Sequence, residues 1–258
     1  MSQVPGNGPF VFQIGFNRCA TGAFFKLFNN SGIPSLHHCG RKHRKAGDTT
    51  LLNVNPQKVI DRNLRKGRPP VEGLEKYRAF FDMEYTDLRR RIENYRYFRS
   101  FAEAYPDALF IMNTRDKADW LKSRIAHNDG KYLQKTCELY GMTREEVLDH
   151  WSRHFDIHTA EVADYFGPDS DRCLWFDIDR DGVDKALDFF RPHYMLEEKR
   201  WKKVHETDWQ GIVGTYATSL HRSFAAQEVR GAPARSGSPR PSGGARADRA
   251  APVMTPSE

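Results

Sequence analysis

The sequence predicts an α/β fold of three layers, in which a doubly wound parallel sheet is covered by helices on both faces. Short apolar runs alternate along the chain with longer segments of helical period, and this alternation is typical of parallel strands joined by helices. The chain has 258 residues, of which 39% are hydrophobic and 12% aromatic, enough for one domain with a sizeable core. Ligands of such sheets bind at the carboxyl ends of the strands.

The first elements follow one another closely as a strand at 10–16, a helix at 21–30 and a strand at 33–37. Ser31 and Gly32 end the helix, because glycine favours the left-handed turn that follows a helix. The segment at 108–114 has Leu-Phe-Ile-Met at its centre and reads as a strand buried on both faces. The other expected elements are helices at 55–66, 87–105, 117–125, 143–165 and 182–190 and strands at 80–83 and 173–178.

The chain divides into a folded domain at 1–224 and a tail at 225–258. The tail is rich in Gly, Pro, Ser, Ala and Arg and has few large apolar side chains, so burial cannot offset the entropy of ordering it. It is therefore expected to be disordered. Its five arginines and three acidic residues carry +2 of the formal net charge of +6. The remaining +4 suits a small anionic ligand as well as a polyanion.

Several classes of protein are disfavoured. The four cysteines are widely spread and form no CxxC pair, which argues against a disulfide framework or a cysteine-rich zinc site. The histidines and the cysteine at 37–43 fit no common zinc spacing, so no metal is expected. No basic-apolar leader and no run of roughly 20 apolar residues is present, so a cytoplasmic protein without a membrane span is expected. The basic run at 41–45 would attract an anionic acceptor or form a solvated loop.

The loop after the first strand leaves the sheet through Gly15 and enters a helix through small residues. Free backbone N–H groups and the positive end of the helix dipole make such a turn an anion site. An ATP-type loop would read GxxxxGK[ST], but Thr21 and Gly22 stand where its Lys and Ser/Thr belong. A kinase is therefore disfavoured, and an ordinary glycine-rich turn is the alternative to an anion site.

A second group of anion-binding side chains follows the strand at 108–114. Arg115 comes directly after this strand, and Ser123 lies eight residues further on, about two turns into the next helix on its sheet-facing side. A guanidinium and a hydroxyl so placed can hold one phosphate together. Alternatively, Arg115 pairs with Asp116 or Asp119 at the surface and Ser123 faces water.

Together these motifs resemble the sulfotransferases that use 3'-phosphoadenosine 5'-phosphosulfate (PAPS). The resemblance covers residues from about 10 to 190 and is closest to bacterial proteins of this family, whose motifs read GFNRxGT, GIPSxH, FxDME, NTRDxxxWLxSR and FDI. The corresponding segments here are 15–21, 32–37, 80–84, 113–124 and 176–178. The fold implied is the P-loop-like sheet of sulfotransferases.

The resemblance also implies roles for individual residues. Arg18 would neutralise charge on the bridging oxygen as the sulfuryl group leaves, Thr21 would bind the 5'-phosphate, and Arg115 with Ser123 would bind the 3'-phosphate. The rest of the cofactor-binding loop would be Cys19, Ala20, Gly22 and Ala23. The commoner loop has Gly and a second Thr where this chain has Ala20 and Gly22. PAPS would be the sulfuryl donor, with no metal.

The acceptor must lose a proton as it attacks sulfur, so a base is expected near Arg18. His37 ends the second strand, which is expected beside the first, and its ordinary pKa near 6.5 suits this role. His38 would point to the opposite face of a continued strand and ranks lower. Asp82 and Glu84 share one face of the next short strand and are the other choices. Each of these groups could instead be structural, the carboxylates by pairing with arginines at 89–91.

The sequence therefore predicts a sulfotransferase that acts by in-line displacement on a hydroxyl or amine of a small molecule, glycan or lipid. The alternatives are a P-loop nucleotide-binding or kinase-like protein, a non-catalytic anion- or nucleic-acid-binding protein, and a degenerate sulfotransferase that only binds ligand. A nucleic-acid partner is not expected, and the sequence fixes neither the acceptor nor the oligomeric state.

Overall fold

The computed structural model describes residues 8–38, 55–87 and 89–202. The predicted tail at 225–258 and the basic run at 41–45 lie outside these residues. The elements in the described part are β1 (Val11–Gln13), α1 (Thr21–Asn30), β2 (Ser35–His37), α2 (Pro56–Arg65), β3 (Ala79–Phe81), β4 (Glu84–Thr86), β5 (Arg91–Glu93), α3 (Phe98–Ala104), β6 (Leu109–Thr114), α4 (Lys117–Ala126), α5 (Lys131–Tyr140), α6 (Arg144–Phe166), β7 (Cys173–Asp177) and α7 (Val183–Phe190). Short 3-10 turns lie at Asn94–Tyr97 and Glu198–Arg200.

Five strands form one parallel sheet in the order β2-β3-β1-β6-β7, which confirms the predicted fold class. The prediction that β2 lies beside β1 is wrong, because β3 lies between them and pairs with both. The reason is that all three residues of β3 are buried and apolar, and such a strand is favoured in the interior of a sheet. The carboxyl ends of β1, β2, β3 and β6 all meet at one edge.

Helices cover both faces of the sheet because successive strand residues point to opposite sides. On one face, Phe24 and Phe28 of α1 pack with Phe190 of α7 in a cluster that also contains Ile111 of β6. Leu109, two residues before Ile111, shares that face. Phe110 points the other way and contacts α6. Ring centroids of Phe110 and Phe166 are 4.8 Å apart. The core therefore lies in two layers, one on each side of the central strands.

Helix ends follow the local sequence. Asn55 caps α2 by accepting from the backbone N–H groups of two following residues, and Thr143 opens α6 with a capping box that includes Glu146. The helix at 21–30 has the predicted bounds. Helix α5 has no counterpart in the sequence prediction; it lies between Gly130 and Gly141, both at positive φ.

The predicted long helix at 87–105 is wrong. The chain forms an antiparallel pair of β4 and β5 in which Tyr85 pairs with Ile92. Among the described residues of this range only α3 is α-helical, and it follows the 3-10 turn at Asn94–Tyr97. The side chain of Asp87 accepts hydrogen bonds from the backbone N–H groups of Arg89 and Arg90 at 2.9 and 3.1 Å. A short acidic side chain that satisfies nearby backbone donors stabilises a turn in place of a helix.

Candidate active site

The β1–α1 loop, residues 14–20, has a strained backbone. Arg18 and Ala20 lie at φ 64° and 61°, a left-handed conformation that costs a residue with a side chain about 1 kcal/mol. Gly15 is required by a close approach, because a Cβ atom there would lie 2.2 Å from the backbone oxygen of Asn113. This loop therefore lies directly on the end of β6.

Helix α1 begins at this loop without a cap. No side chain in the described part of the chain accepts from its first N–H groups, and its first turn holds no acidic residue. Thr21, the first residue of the helix, is buried. An uncapped helix start with a net positive field is suited to an anion.

Arg18 extends from the loop to Ser123 of α4. Its Nε donates to Ser123 Oγ at 3.1 Å, and Ser123 is 2% exposed. Burial lowers the pKa of Arg18, the carboxylate of Asp82 acts in the opposite direction, and the charge of Arg115 lowers it further. The structure thus brings two predicted site residues, Arg18 and Ser123, into contact from distant parts of the sequence.

Arg115 follows β6 at the same edge of the sheet. It pairs with Asp179, 3.2 Å away in the turn after β7, and not with Asp116 or Asp119. The Nε atom of Arg115 is buried and has no hydrogen-bond partner in the described part of the chain. A buried donor without a partner is costly, so this guanidinium has capacity for a further acceptor.

His37 reaches the start of α1 although its strand does not adjoin β1. Its Nε2 lies 3.3 Å from Thr21 Oγ1 and 4.0 Å from Asp82 Oδ2. Asp82 directly follows β3, the strand between β2 and β1, and this position places its carboxylate near both the histidine and the loop. The structure therefore brings His37, Thr21 and Asp82 into one group.

Burial raises the pKa of Asp82 to about 6; the positive charge of His38 opposes this effect and the carboxylate of Glu84 adds to it. The expectation that His38 points away is wrong, because β2 ends at His37 and His38 turns at φ 49°. Its Nδ1 lies 3.5 Å from Asp82 Oδ2 and 2.8 Å from the backbone oxygen of Glu84. Asp82 is therefore a carboxylate between two histidines.

Glu84 has a different environment. It is 4% exposed, and its two oxygens lie 3.3 Å from Arg91 Nη2 and 3.5 Å from Arg124 Nη2. The Tyr132 hydroxyl donates to Glu84, and Asn17 of the β1–α1 loop donates to it at 3.2 Å. Both of these donors bind Oε1, whereas Oε2 is buried, has no hydrogen-bond partner in the described part of the chain and has only the ion pair with Arg91. The two ion pairs favour a structural role, and the role of Glu84 as a base stays a prediction.

Of the two cations beside Glu84, sequence analysis included Arg91 among the possible arginine partners at 89–91 but missed Arg124. Arg124 is fully buried, and its guanidinium lies 4.7, 5.2 and 4.5 Å from the ring centroids of Trp120, Tyr132 and Trp151. The side chain of Arg91 is 3% exposed and also pairs with Glu93 at 2.8 Å. A signal for Arg124 was present, since it lies one residue after Ser123 on a helix that faces the sheet. We call Glu84, Arg91, Glu93, Arg124 and Tyr132 the buried charge cluster.

Gln13 and Asn113 were also missed as site residues. They are 1% and 0% exposed and lie under the β1–α1 loop, where Gln13 Nε2 donates to the backbone oxygen of Gly15 at 2.8 Å. The signal was a polar residue at or next to the end of an apolar strand, Gln13 in β1 and Asn113 in β6. Within the described residues no group of three or more His, Cys, Asp or Glu side chains could hold a metal ion.

The family comparison agrees with this geometry. A family model described as a sulfotransferase domain matches residues 10–173, a span that contains the β1–α1 loop, Asp82, Arg115 and Ser123. No curated protein matches the chain. In the part of the chain that the structure describes, no helix has the length and apolar character needed to cross a bilayer. Since the family match covers more than half of the sequence, the chain belongs to the sulfotransferase domain family.

Proposed function

We propose that this sulfotransferase-family chain uses PAPS as donor and transfers the sulfuryl group to a hydroxyl or amine of a small molecule, glycan or lipid. The observation that carries the proposal is the bond between Arg18 and Ser123, with Arg115 near enough to lower the pKa of Arg18. Two guanidiniums and a buried hydroxyl at one sheet edge form a site for a ligand with several negative charges.

The residues at this edge fit the two phosphate groups of such a donor. Arg18, Thr21 and the uncapped start of α1 would hold the 5'-phosphosulfate. Arg115 and Ser123 would hold the 3'-phosphate, since the Nε of Arg115 is unpartnered and Ser123, which accepts from Arg18, still has its own hydrogen to donate. PAPS supplies an activated sulfuryl group whose leaving phosphate is stabilised by a fixed cation.

His37 would accept the proton that the acceptor loses, and Asp82 would stabilise the resulting positive charge. His37 Nε2 faces Thr21 of the proposed phosphate site, so it lies beside the position where the acceptor attacks. The carboxylate of Asp82, ionised above its pKa of about 6, stabilises the imidazolium that forms when His37 accepts the proton. We therefore expect His37→Asn to lose most of the transfer rate. Folded Glu84→Gln should keep a measurable transfer rate, because His37 would still accept the proton.

Calorimetric titration with adenosine 3',5'-bisphosphate, in parallel with ATP–Mg, tests the donor site. We expect micromolar binding of the bisphosphate, weakened by at least about 30-fold in Arg18→Ala and Arg115→Ala, because each removes a charge-assisted contact to phosphate. Arg153→Ala is the control, since this arginine is an exposed residue of α6 paired with Asp149.

Three outcomes would contradict the proposal. Absence of bisphosphate binding to the wild-type protein would leave the loop as a structural turn. Binding of ATP that requires Mg would favour a kinase-like protein. Affinity for nucleic acid that falls steeply with salt, without a nucleotide site, would favour a polyanion-binding protein.

A further inference from the structure

Gln13 has contacts that its position in an apolar strand does not explain. Its Nε2 donates to the backbone oxygen of Gly15 at 2.8 Å and to Asn113 Oδ1 at 2.5 Å. Its Oε1 accepts from the backbone N–H of Asp82 at 2.7 Å. One carboxamide thus joins the ends of β1, β6 and β3.

Asn113 continues this network into the β1–α1 loop. It is 0% exposed, and its Nδ2 donates to the backbone oxygen of Phe16 at 3.0 Å and to that of Cys19. The two acceptors lie on either side of Arg18. The carboxamide of Asn113 therefore fixes the part of the loop that carries the guanidinium.

These hydrogen bonds hold backbone that is otherwise unfavourable. Arg18, Ala20 and Asp82 all lie at positive φ, at 64°, 61° and 51°. Residues in such conformations persist only where surrounding contacts determine them. The contacts of Gln13 and Asn113 end at two of the strained places, the loop around Arg18 and the N–H of Asp82. In the described residues, positive φ values also occur outside glycine at His38, Asn128 and Asp129.

We propose that Gln13 and Asn113 are positioning residues, a buried carboxamide pair that sets the geometry of the phosphate-binding loop and of Asp82 together. Testing this inference by ligand affinity rests on the proposed function, whereas the hydrogen bonds of the pair can be tested without a ligand. The competing explanation is that the pair contributes only to folding stability, as any satisfied buried amide does.

Asn63 provides a matched control for that explanation. It is 3% exposed, and its Nδ2 donates to the backbone oxygens of Pro70 and Glu72 at 3.1 and 2.9 Å. Those acceptors belong to the turn after α2 and not to the candidate site. Asn63→Asp therefore removes buried donors of the same kind without touching the loop.

The experiment compares Gln13→Glu, Asn113→Asp and Asn63→Asp by calorimetry with adenosine 3',5'-bisphosphate. Each substitution keeps the shape of the side chain and replaces the donating NH2 by a carboxylate oxygen, which cannot donate to a carbonyl. We expect the first two variants to bind at least about tenfold more weakly than wild type and Asn63→Asp to bind within about twofold. All three are compared as folded proteins, verified by circular dichroism.

Lowering the pH should partly rescue Gln13→Glu, because a protonated carboxyl regains one donor. The ratio of its dissociation constant to that of wild type should fall by at least about threefold between about pH 7.5 and about pH 5.5. Using this ratio of dissociation constants removes the pH effects that titration of the same groups causes in both proteins. Besides Asp82 itself, those near this side of the site are His37, His38, Glu84, Arg18 and Arg124. A purely structural role predicts a ratio that does not depend on pH in this way.

Hydrogen–deuterium exchange tests the network without any ligand. Asn113→Asp and Gln13→Glu should increase amide exchange in peptides that cover 14–22, and Gln13→Met, which removes every hydrogen bond of the side chain, should also increase it at 79–86. Gln13→Met serves as the second variant should the introduced carboxylates prevent folding. Unchanged exchange at both segments, or bisphosphate affinity within about twofold of wild type in the folded variants, would overturn the inference. Failure of the wild-type protein to bind the bisphosphate would overturn the proposed function, and exchange would still decide the inference.

Discussion

Two regions of the molecule each contain two arginines, and the regions differ in the groups that lie against the guanidiniums. In the buried charge cluster, Arg91 and Arg124 both lie against the carboxylate of Glu84 and are almost completely excluded from solvent. At the candidate active site, Arg18 donates to the neutral hydroxyl of Ser123, and Arg115 keeps an unpartnered Nε beside a half-exposed partner. A buried cation needs a compensating anion. In the cluster that anion is Glu84. At the candidate site Arg115 has the more exposed Asp179 and Arg18 has a neutral hydroxyl, so a bound anion would add to the compensation.

The largest effect is expected in the buried charge cluster. Glu84→Gln would leave Arg91 and Arg124 without their shared carboxylate, and we expect the free energy of unfolding to fall by about 3–5 kcal/mol. Urea denaturation at neutral pH measures the change, and Glu103→Gln on the exposed face of α3 is the control. A loss below about 1 kcal/mol would mean that the cluster is not structural and would return Glu84 to the choice of bases.

Asp82 tests whether the site trades stability for function. Its folded pKa of about 6 exceeds the ordinary 3.8 because of burial, so its ionised form destabilises the native state above pH 6, and this cost disappears as the pH falls towards 4. We expect Asp82→Asn to be more stable than wild type by up to about 3 kcal/mol at neutral pH and equally stable near pH 4, with a lower transfer rate.

Unfolding curves at both pH values check this expectation, with Asp164→Asn as the control because Asp164 is an exposed residue of α6. Destabilisation at neutral pH would show that the contacts of Asp82 with His37 and His38 outweigh its burial. The difference between the two regions would then be smaller than the electrostatics indicate.

Asp179 tests whether Arg115 is held for a ligand. Asp179→Asn removes a charge that competes with a bound phosphate, so the affinity for adenosine 3',5'-bisphosphate should rise by about threefold, the size expected of a partly exposed pair. Calorimetry measures it, with Asp156→Asn, which loses an exposed partner of Lys117, as the control. A weaker affinity would mean that Asp179 orients Arg115.

The smallest effect concerns loop strain. Ala20 lies at φ 61°, where glycine pays no steric cost, so Ala20→Gly should stabilise the protein by about 0.5 kcal/mol after the entropy of the unfolded chain is included. Ala163→Gly, inside α6, should have the opposite sign and cost about 1 kcal/mol. Thermal unfolding compares them, and a loss of stability in Ala20→Gly would show that the methyl group of Ala20 is needed for packing.

Local sequence predicted much of the framework. The helix bounds at 21–30, the strand before Arg115 and the helix at 143–165 were predicted from the sequence, because hydrophobic periodicity is local. The hairpin at 84–93 was not, since a charged segment of this composition also suits an exposed helix. Two features favour the hairpin: the turn at Asp87 and the ion pairs of Arg91 with Glu84 and Glu93. The local sequence contains both groups of side chains but does not show which of them meet.

The sequence by itself determined the α/β class and predicted anion sites at the loop of Arg18 and at Arg115 with Ser123, because strand–turn–helix signals and residue chemistry are properties of short segments. Only the tertiary structure decided that β3 separates β2 from β1, that Arg18 meets Ser123 and that Gln13 joins three strand ends. These contacts depend on strand order and on which charges are buried together. Both are set by packing between segments far apart in the chain.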